Sequence, residues 1–254
     1  MTSLCFSLAV VCESSSHVSL AREIAGRLDV PFFLGVPLGS FDFLMAVTDE
    51  RVEFRSGHQE MGPLYVDFVG GALNYRVRKQ NQSKDLILRA VGGGGQRILD
   101  LTAGLASDAY VLAENKCEVT AVERSEVVSI LVEDGLRRGL NNLRTEGACK
   151  RIHLKNSDAL SFLESEINTT WDTVYIDPMF PKKEKTALPK KELQLLQQIV
   201  GLGDEEESRR LLSRSGRFSR RVVVKRPMSA PELLPGVSSC LEGRSIRFDI
   251  YIFS

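Results

Sequence analysis

Apolar residues in this chain fall into short blocks separated by glycine, proline and polar clusters. The first block, Leu4 to Val11, has strand length and predicts a buried strand. Val18, Ile24, Ala25 and Leu28 recur at helical spacing and predict a helix over Ser16 to Leu28. Phe43 to Val47 and Arg51 to Arg55 flank Thr48-Asp49-Glu50, a hairpin pattern. Leu64 to Val69 predicts another strand, ended by Gly70-Gly71, and a helix is expected from about Ala72 to Ala90.

Beyond the glycine cluster Gly92 to Gly95, a loop or short hinge, strands and helices alternate. Strands are predicted at Arg97 to Leu101, Glu118 to Val122, Arg151 to Leu154, Thr173 to Ile176 and Val222 to Lys225. Between them lie helical patterns at Ser125 to Leu140, with Ser125 as N-cap, and at Lys190 to Val200. Asp204 with Glu207 resembles a capping box opening a helix to about Leu212. The tail, Arg244 to Phe253, alternates and is expected to end the sheet. This order predicts an α/β fold with a mostly parallel, doubly wound, Rossmann-like sheet. The expected division is an N-terminal α/β subdomain over 1–71, a linking helix and hinge over 72–95, and the main domain over 96–254.

Composition narrows the class. With 254 residues, 43% of them hydrophobic, the chain can bury a sizeable core. Lys+Arg and Asp+Glu both number 33, so the net charge is zero. That excludes a globally basic nucleic-acid coat and an acidic disordered tail, but not a local basic face. No run approaches the roughly 18 apolar residues of a membrane span, and no basic residue precedes Arg22 to suggest a secretory signal. Five cysteines without a C-x-x-C pair argue against zinc or disulfide frameworks and for reduced thiols in the cytoplasm.

Candidate chemistry lies at the strand ends, where open α/β sheets bind ligands. Asp100-Leu-Thr-Ala-Gly104-Leu-Ala-Ser107-Asp108 turns the first main-domain strand into a helix; its single glycine departs from the G-x-G-x-x-G dinucleotide pattern. Glu123, nineteen residues after Gly104, can accept hydrogen bonds from a ribose diol. Asp158-Ala159 follows the third strand; the carboxylate can accept from an adenine amino group or cap the next helix. Asp177-Pro178-Met179-Phe180 closes the fourth strand. Asp177 and the Pro178 carbonyl can hold an exocyclic amino group, and Phe180 can stack on a base that has left its helix. The amine would attack a methyl group on a sulfonium centre, with positioning as the protein's main contribution. No metal site is suggested, and none of His17, His58 and His153 lies in a catalytic motif.

This order of turns is that of the class I methyltransferases that use S-adenosyl-L-methionine. Further, Val66 to Ala72, Asp100 to Ala109, Val174 to Pro181, Val222 to Pro227 and Arg247 to Tyr251 together resemble the ribosomal small-subunit methyltransferase J family. The resemblance implies methylation of the N2 amino group of a guanine near the 3′ end of 16S rRNA. It implies cofactor contacts at Ser107, Asp108, Glu123, Arg124, Asp158, Ala159 and Asp177, and a substrate of 16S rRNA or the 30S subunit with no stable protein partner. Two residues depart from the family's usual Gly-Leu-Gly-Arg-Asp turn: Ala106 and Ser107. They are expected to affect cofactor affinity rather than fold.

Charge distribution supplies the RNA surface. Arg209 to Arg226 carries eight basic residues and no acidic one; Lys182 to Lys191 and Arg76 to Arg89 are also basic. These runs predict a phosphate-binding rim around the catalytic turn, at Arg76, Arg78, Lys79, Lys182, Lys183, Lys225 and Arg226. Competing readings are an adenine-N6 methyltransferase, a nicotinamide oxidoreductase and an inactive RNA-binding module.

Overall fold

The computed structural model describes residues 6–37, 39–57, 62–70, 73, 85–166, 168–178, 195, 199–201 and 203–254. Two sheets organise it. The smaller has the order β2-β1-β3-β4, from β1 (Leu8–Cys12), β2 (Phe32–Leu34), β3 (Phe43–Val47) and β4 (Val52–Ser56). β1 is parallel to β2 and β3, and β3–β4 is the antiparallel hairpin expected around Thr48-Asp49-Glu50. Helix α1 (Val18–Leu28) follows β1 and packs on it, burying Ala21, Ile24 and Ala25.

The larger sheet has seven strands: β5 (Arg97–Asp100), β6 (Glu118–Glu123), β7 (Ile152–Asn156), β8 (Thr173–Ile176), β9 (Arg221–Pro227), β10 (Ser239–Glu242) and β11 (Ile246–Ile252). Their order is β10-β11-β9-β8-β5-β6-β7. From β9 to β7 all neighbours are parallel; β11 runs antiparallel between β9 and β10. From β5 the chain first winds outward to β6 and β7, then returns to β8 and β9 on the other side. The switch point therefore lies between β5 and β8, where a crevice opens at the strands' C-terminal ends.

Both faces of this sheet are buried, as a doubly wound fold requires. One face carries Ile98, Val119, Ala121, Tyr175 and Val223 and packs under α2 (Leu86–Ala90), α3 (Ser107–Glu114) and α4 (Glu126–Leu140). The other carries Leu99, Val122, Val174, Val222 and Val224 and packs under α6 (Ala159–Ser165) and α7 (Glu205–Ser215). A short helix, α5 (Glu146–Cys149), precedes β7. The smaller sheet belongs to the first of these cores: Val10, Met45 and Phe54 share one apolar cluster with α4 and β5. Arg27 at the end of α1 adds a polar tie, reaching Glu126 at 2.7 Å and Glu133 at 2.6 Å on α4.

Three expectations change. Leu64 to Val69 is not a strand; only Leu64 bridges Phe54, and the segment is apolar because Val66 and Phe68 pack against Gly135 of α4. The helix ending at Ala90 does not run continuously from residue 72, because Asp85 has extended backbone and caps a new helix through a bond from Ile87 N. The glycine cluster is a closed turn, with Gly93 N bonded to Leu88 O and Gly95 N to Asn115 O.

Candidate active site

Side chains alternate across a strand with period two. In β8, Ile176 faces one core, so Tyr175 and Asp177 face the other. In β9, Val224 pairs with Ile176, so Lys225 leaves its strand beside Asp177 and on the same face. In β5, Asp100 pairs with Tyr175. Two acids, Asp100 and Asp177, and one lysine thus meet above the switch point, together with a third acid, Asp108, from the first turn of α3.

Their contacts are specific. Lys225 Nζ donates to Asp177 Oδ2 at 2.7 Å and to Asp108 Oδ2 at 2.8 Å. Tyr175 OH donates to the same Asp108 oxygen at 2.8 Å. Asp177 N donates to Thr102 Oγ1 at 2.7 Å, which locks the β8 turn against the β5 turn. Asp100 accepts from Thr102 N, and burial pushes its carboxyl up to about 8. Asp177 is pushed up to about 6 by the surrounding protein mass, with Lys225 pulling the other way. Its side chain still keeps 35% of its surface open towards the cavity. The two carboxylates hold the Lys225 ammonium above the ordinary lysine range, against burial.

These groups floor a cavity of about 420 Å3. Asp100, Gly104, Ser107 and Asp108 border it from the β5 turn, and Glu123 and Arg124 from the end of β6. Asp158 and Ala159 border it after β7, and Asp177 and Pro178 after β8. Glu123 is 6% exposed and receives Gly104 N on one oxygen at 2.9 Å and Ser125 N on the other at 2.7 Å. Each oxygen has a second lone pair, so a pair of hydroxyls can still be accepted. Asp158 is the expected N-cap of α6, with Oδ1 accepting from Ser161 N at 2.9 Å, while Oδ2 has no partner among the described residues. Arg124 reaches Glu207 of α7 at 3.3 Å and Val200 O at 3.5 Å, joining the two sides of the cavity.

Ala106 occupies a left-handed backbone position, φ +56°, at the start of α3. An L side chain there costs roughly 1–2 kcal/mol, and the glycine usual in the resembling family would avoid it. The turn keeps its shape despite the methyl group, with Ala106 N bonded to Ala103 O at 2.8 Å.

The predicted basic rim is redrawn. Arg226 is 1% exposed and binds Pro231 O through Nε and Nη2, so it is an interior residue. Lys225 points into the cavity onto two carboxylates rather than outward to phosphate. Arg217 and Arg220 precede β9 and lie at the end of the sheet opposite the cavity. Phe180, Arg76, Arg78, Lys79, Lys182 and Lys183 lie outside the described residues. The sequence reading did not anticipate Tyr175 and Thr102, nor the start of α7, where Asp204, Glu207 and Ser208 complete the cavity wall. A lysine following Val222-Val-Val in an interior strand was the available signal for Lys225, since such a charge needs buried partners.

The donor set suits a positively charged nucleoside: a buried carboxylate for a diol, Asp158 at the far side, and Asp108 and Asp177 against one facing lysine among the described residues. It does not suit a pyrophosphate, which would find Gly104 as the turn's lone glycine and acids around it.

Known proteins agree with this geometry. A family model for SAM-dependent methyltransferases matches residues 38–253. A protein of Dechloromonas aromatica named ribosomal RNA small subunit methyltransferase J is 40% identical over 242 residues, covering 93% of this chain and 96% of its own. One of the same name from Coxiella burnetii is 37% identical, covering 96% of both chains. The crystal structure of a SAM-dependent methyltransferase from Neisseria gonorrhoeae superposes with a TM-score of 0.74 at 25% identity, covering 96% of this chain and 95% of that one. Fold, cavity and relatives coincide over nearly the whole length, and the chain belongs to the ribosomal RNA small subunit methyltransferase J family of S-adenosylmethionine-dependent methyltransferases.

Proposed function

We propose that this cytoplasmic enzyme transfers a methyl group to the N2 amino group of a guanine in 16S rRNA, presented either free or within the 30S subunit. The observation that carries the reading is the Asp177-Pro178 turn: it borders the cavity beside the switch point, with one carboxylate oxygen fixed by Lys225. Relatives of this length bear the name of a small-subunit rRNA methyltransferase.

The residues divide the work. Glu123 would receive the ribose hydroxyls and Asp158 and Ala159 would hold the adenine, while Ser107, Asp108 and Arg124 flank the remaining cavity, with Asp100 buried beneath them. Bound there, S-adenosylmethionine supplies an electrophilic methyl group on a sulfonium centre. Asp177 and the Pro178 carbonyl accept the amino N–H groups and so aim the nitrogen lone pair. Asp177 also stands ready for the proton that the nitrogen releases. Phe180 would stack on the flipped base, and Arg76, Arg78, Lys79, Lys182 and Lys183 would meet phosphates.

The test is tritiated methyl transfer to 30S subunits from a strain lacking this gene, followed by digestion to nucleosides. N2-methylguanosine should carry the label, and Asp177→Ala should lose at least about a hundredfold in rate, in the range of a lost positioning or proton-accepting group. Label in N6-methyladenosine, or full activity in Asp177→Ala, would overturn the reading.

A further inference from the structure

We propose that Lys225 is a positioning residue for methyl transfer: its ammonium bridges Asp108 and Asp177 and fixes Asp177 as an ionised acceptor with one oxygen turned to the substrate. The inference rests on the reading of Asp177 given above and adds a residue to it.

The geometry carries the argument. Asp177 Oδ2 is held by Lys225 Nζ at 2.7 Å, and its backbone N by Thr102 Oγ1 at 2.7 Å. One restraint on the backbone and one on a short side chain leave the carboxylate little rotational freedom. The other carboxylate oxygen has no partner among the described residues, and the side chain borders the cavity. Lys225 is itself held in place by Asp108, which also receives Tyr175 OH. The chain Tyr175–Asp108–Lys225–Asp177 thus runs from the sheet interior to the cavity floor.

Charge supplies the second half. The titratable and charged groups facing Asp177 are Lys225 from β9, Asp108 from α3, Asp100 from β5 and Tyr175 from its own strand. Lys225 is the one cation among them in the described residues. Without it, Asp177 would share a partly dry site with the Asp108 carboxylate, and like charges at short range drive a carboxyl to keep its proton. A protonated Asp177 loses both its negative charge and its capacity to take a proton from the amine. Burial already places Asp177 near 6, so it lies within reach of a rate profile.

The experiment is single-turnover methyl transfer to unmethylated 30S subunits between pH 5 and 9, at saturating cofactor. The parent should show an acidic limb that disappears, at reduced rate, in Asp177→Asn. In Lys225→Met the limb should move up by at least about one pH unit, the usual effect of a neighbouring opposite charge. Activity should then be lost about tenfold or more at pH 7 and largely regained at pH 9. Lys225→Arg, which keeps the charge, should leave the limb where it is. Asp108→Asn, which removes a competing carboxylate and keeps both the Lys225 ammonium and an oxygen to accept from it, should move the limb down and keeps the test open if Lys225→Met does not fold. Calorimetry should find S-adenosylmethionine bound by Lys225→Met within about threefold of the parent. An acidic limb that survives in Asp177→Asn would overturn the Asp177 reading itself. A limb lost in Asp177→Asn but unmoved in Lys225→Met and Asp108→Asn would overturn only the role of Lys225. Abolished cofactor binding in Lys225→Met would do the same.

Discussion

At the residue scale, Asp100 is the group most at odds with its surroundings. It accepts one hydrogen bond, from Thr102 N at 3.1 Å, and burial pushes its carboxyl up to about 8. In the unfolded chain it titrates near its ordinary value of about 4. Between those two values the unfolded chain releases the proton while the folded chain keeps it. Stability therefore falls as pH rises through this window, at up to about 1.4 kcal/mol per pH unit from this group. Asp100→Asn keeps the acceptor and removes the titration. Urea unfolding at pH 5 and pH 8 should show a flatter pH dependence than the parent, and a gain in stability at pH 8. An unchanged slope would mean that Asp100 is not a buried titrating acid. Ala106 is a second strained point, yet the two differ in legibility. The departure at Ala106 was visible against the resembling family's turn, whereas the burial of Asp100 depends on α3 folding over it and could not be read from its neighbours in the chain.

At the element scale, α4 is built to be approached closely. A Cβ on Gly135 would stand 2.5 Å from Val66 Cγ1 and 2.8 Å from Val66 Cβ. Arg138 of the same helix donates to Val66 O, and Asp134 holds both Arg137 and Arg138. In an exposed helix, Gly→Ala gains about 1 kcal/mol. Here Gly135→Ala should instead destabilise by about 1–3 kcal/mol, the usual effect of overpacking, as measured by chemical denaturation. A stabilised variant would show that the 64–68 segment can move aside. The same contact explains a misread element. Leu64 to Val69 is apolar enough to suggest a strand, but its apolar residues serve helix packing rather than a ladder. Strands β5, β6, β8 and β9 were legible because each is an apolar run with punctuation at both ends. β2 and β10 were not, since a three-residue strand and the sequence Ser-Cys-Leu-Glu owe their pairing to neighbours. Asp204 caps α7 as expected, through Glu206 N, but Glu207 reaches across to Arg124 rather than back to the cap.

At the scale of the whole molecule, the sum of charges conceals how charges are used. Of the basic residues between Arg209 and Arg226, Arg209 and Arg214 pair with glutamates, Arg221 binds Ala90 O, Lys225 serves the cavity and Arg226 is interior. Arg217 and Arg220 are exposed, but at the far end of the strands. The double substitution Arg217→Gln/Arg220→Gln should leave the methyl-transfer rate on 30S subunits, and its salt dependence, within about twofold of the parent. A shallower salt slope would place RNA phosphates on that end of the sheet after all. Linear sequence could show that basic residues cluster. It could not show that one strand carries them from the outer end of the sheet to its cavity end, because direction along a strand becomes meaningful only once the sheet exists.

The strand order carries a consequence for synthesis. β5 lies in the interior of the larger sheet, paired with β6 on one side and β8 on the other. A ribosome delivers β6 soon after β5, but β8 begins only at Thr173 and β9 only at Arg221. Until then the nascent chain holds β5, β6 and β7 with one long edge of β5 unpaired, the kind of edge on which foreign strands assemble. The β5 side of the switch point, where the cavity opens, thus stays without its neighbour until β8 emerges.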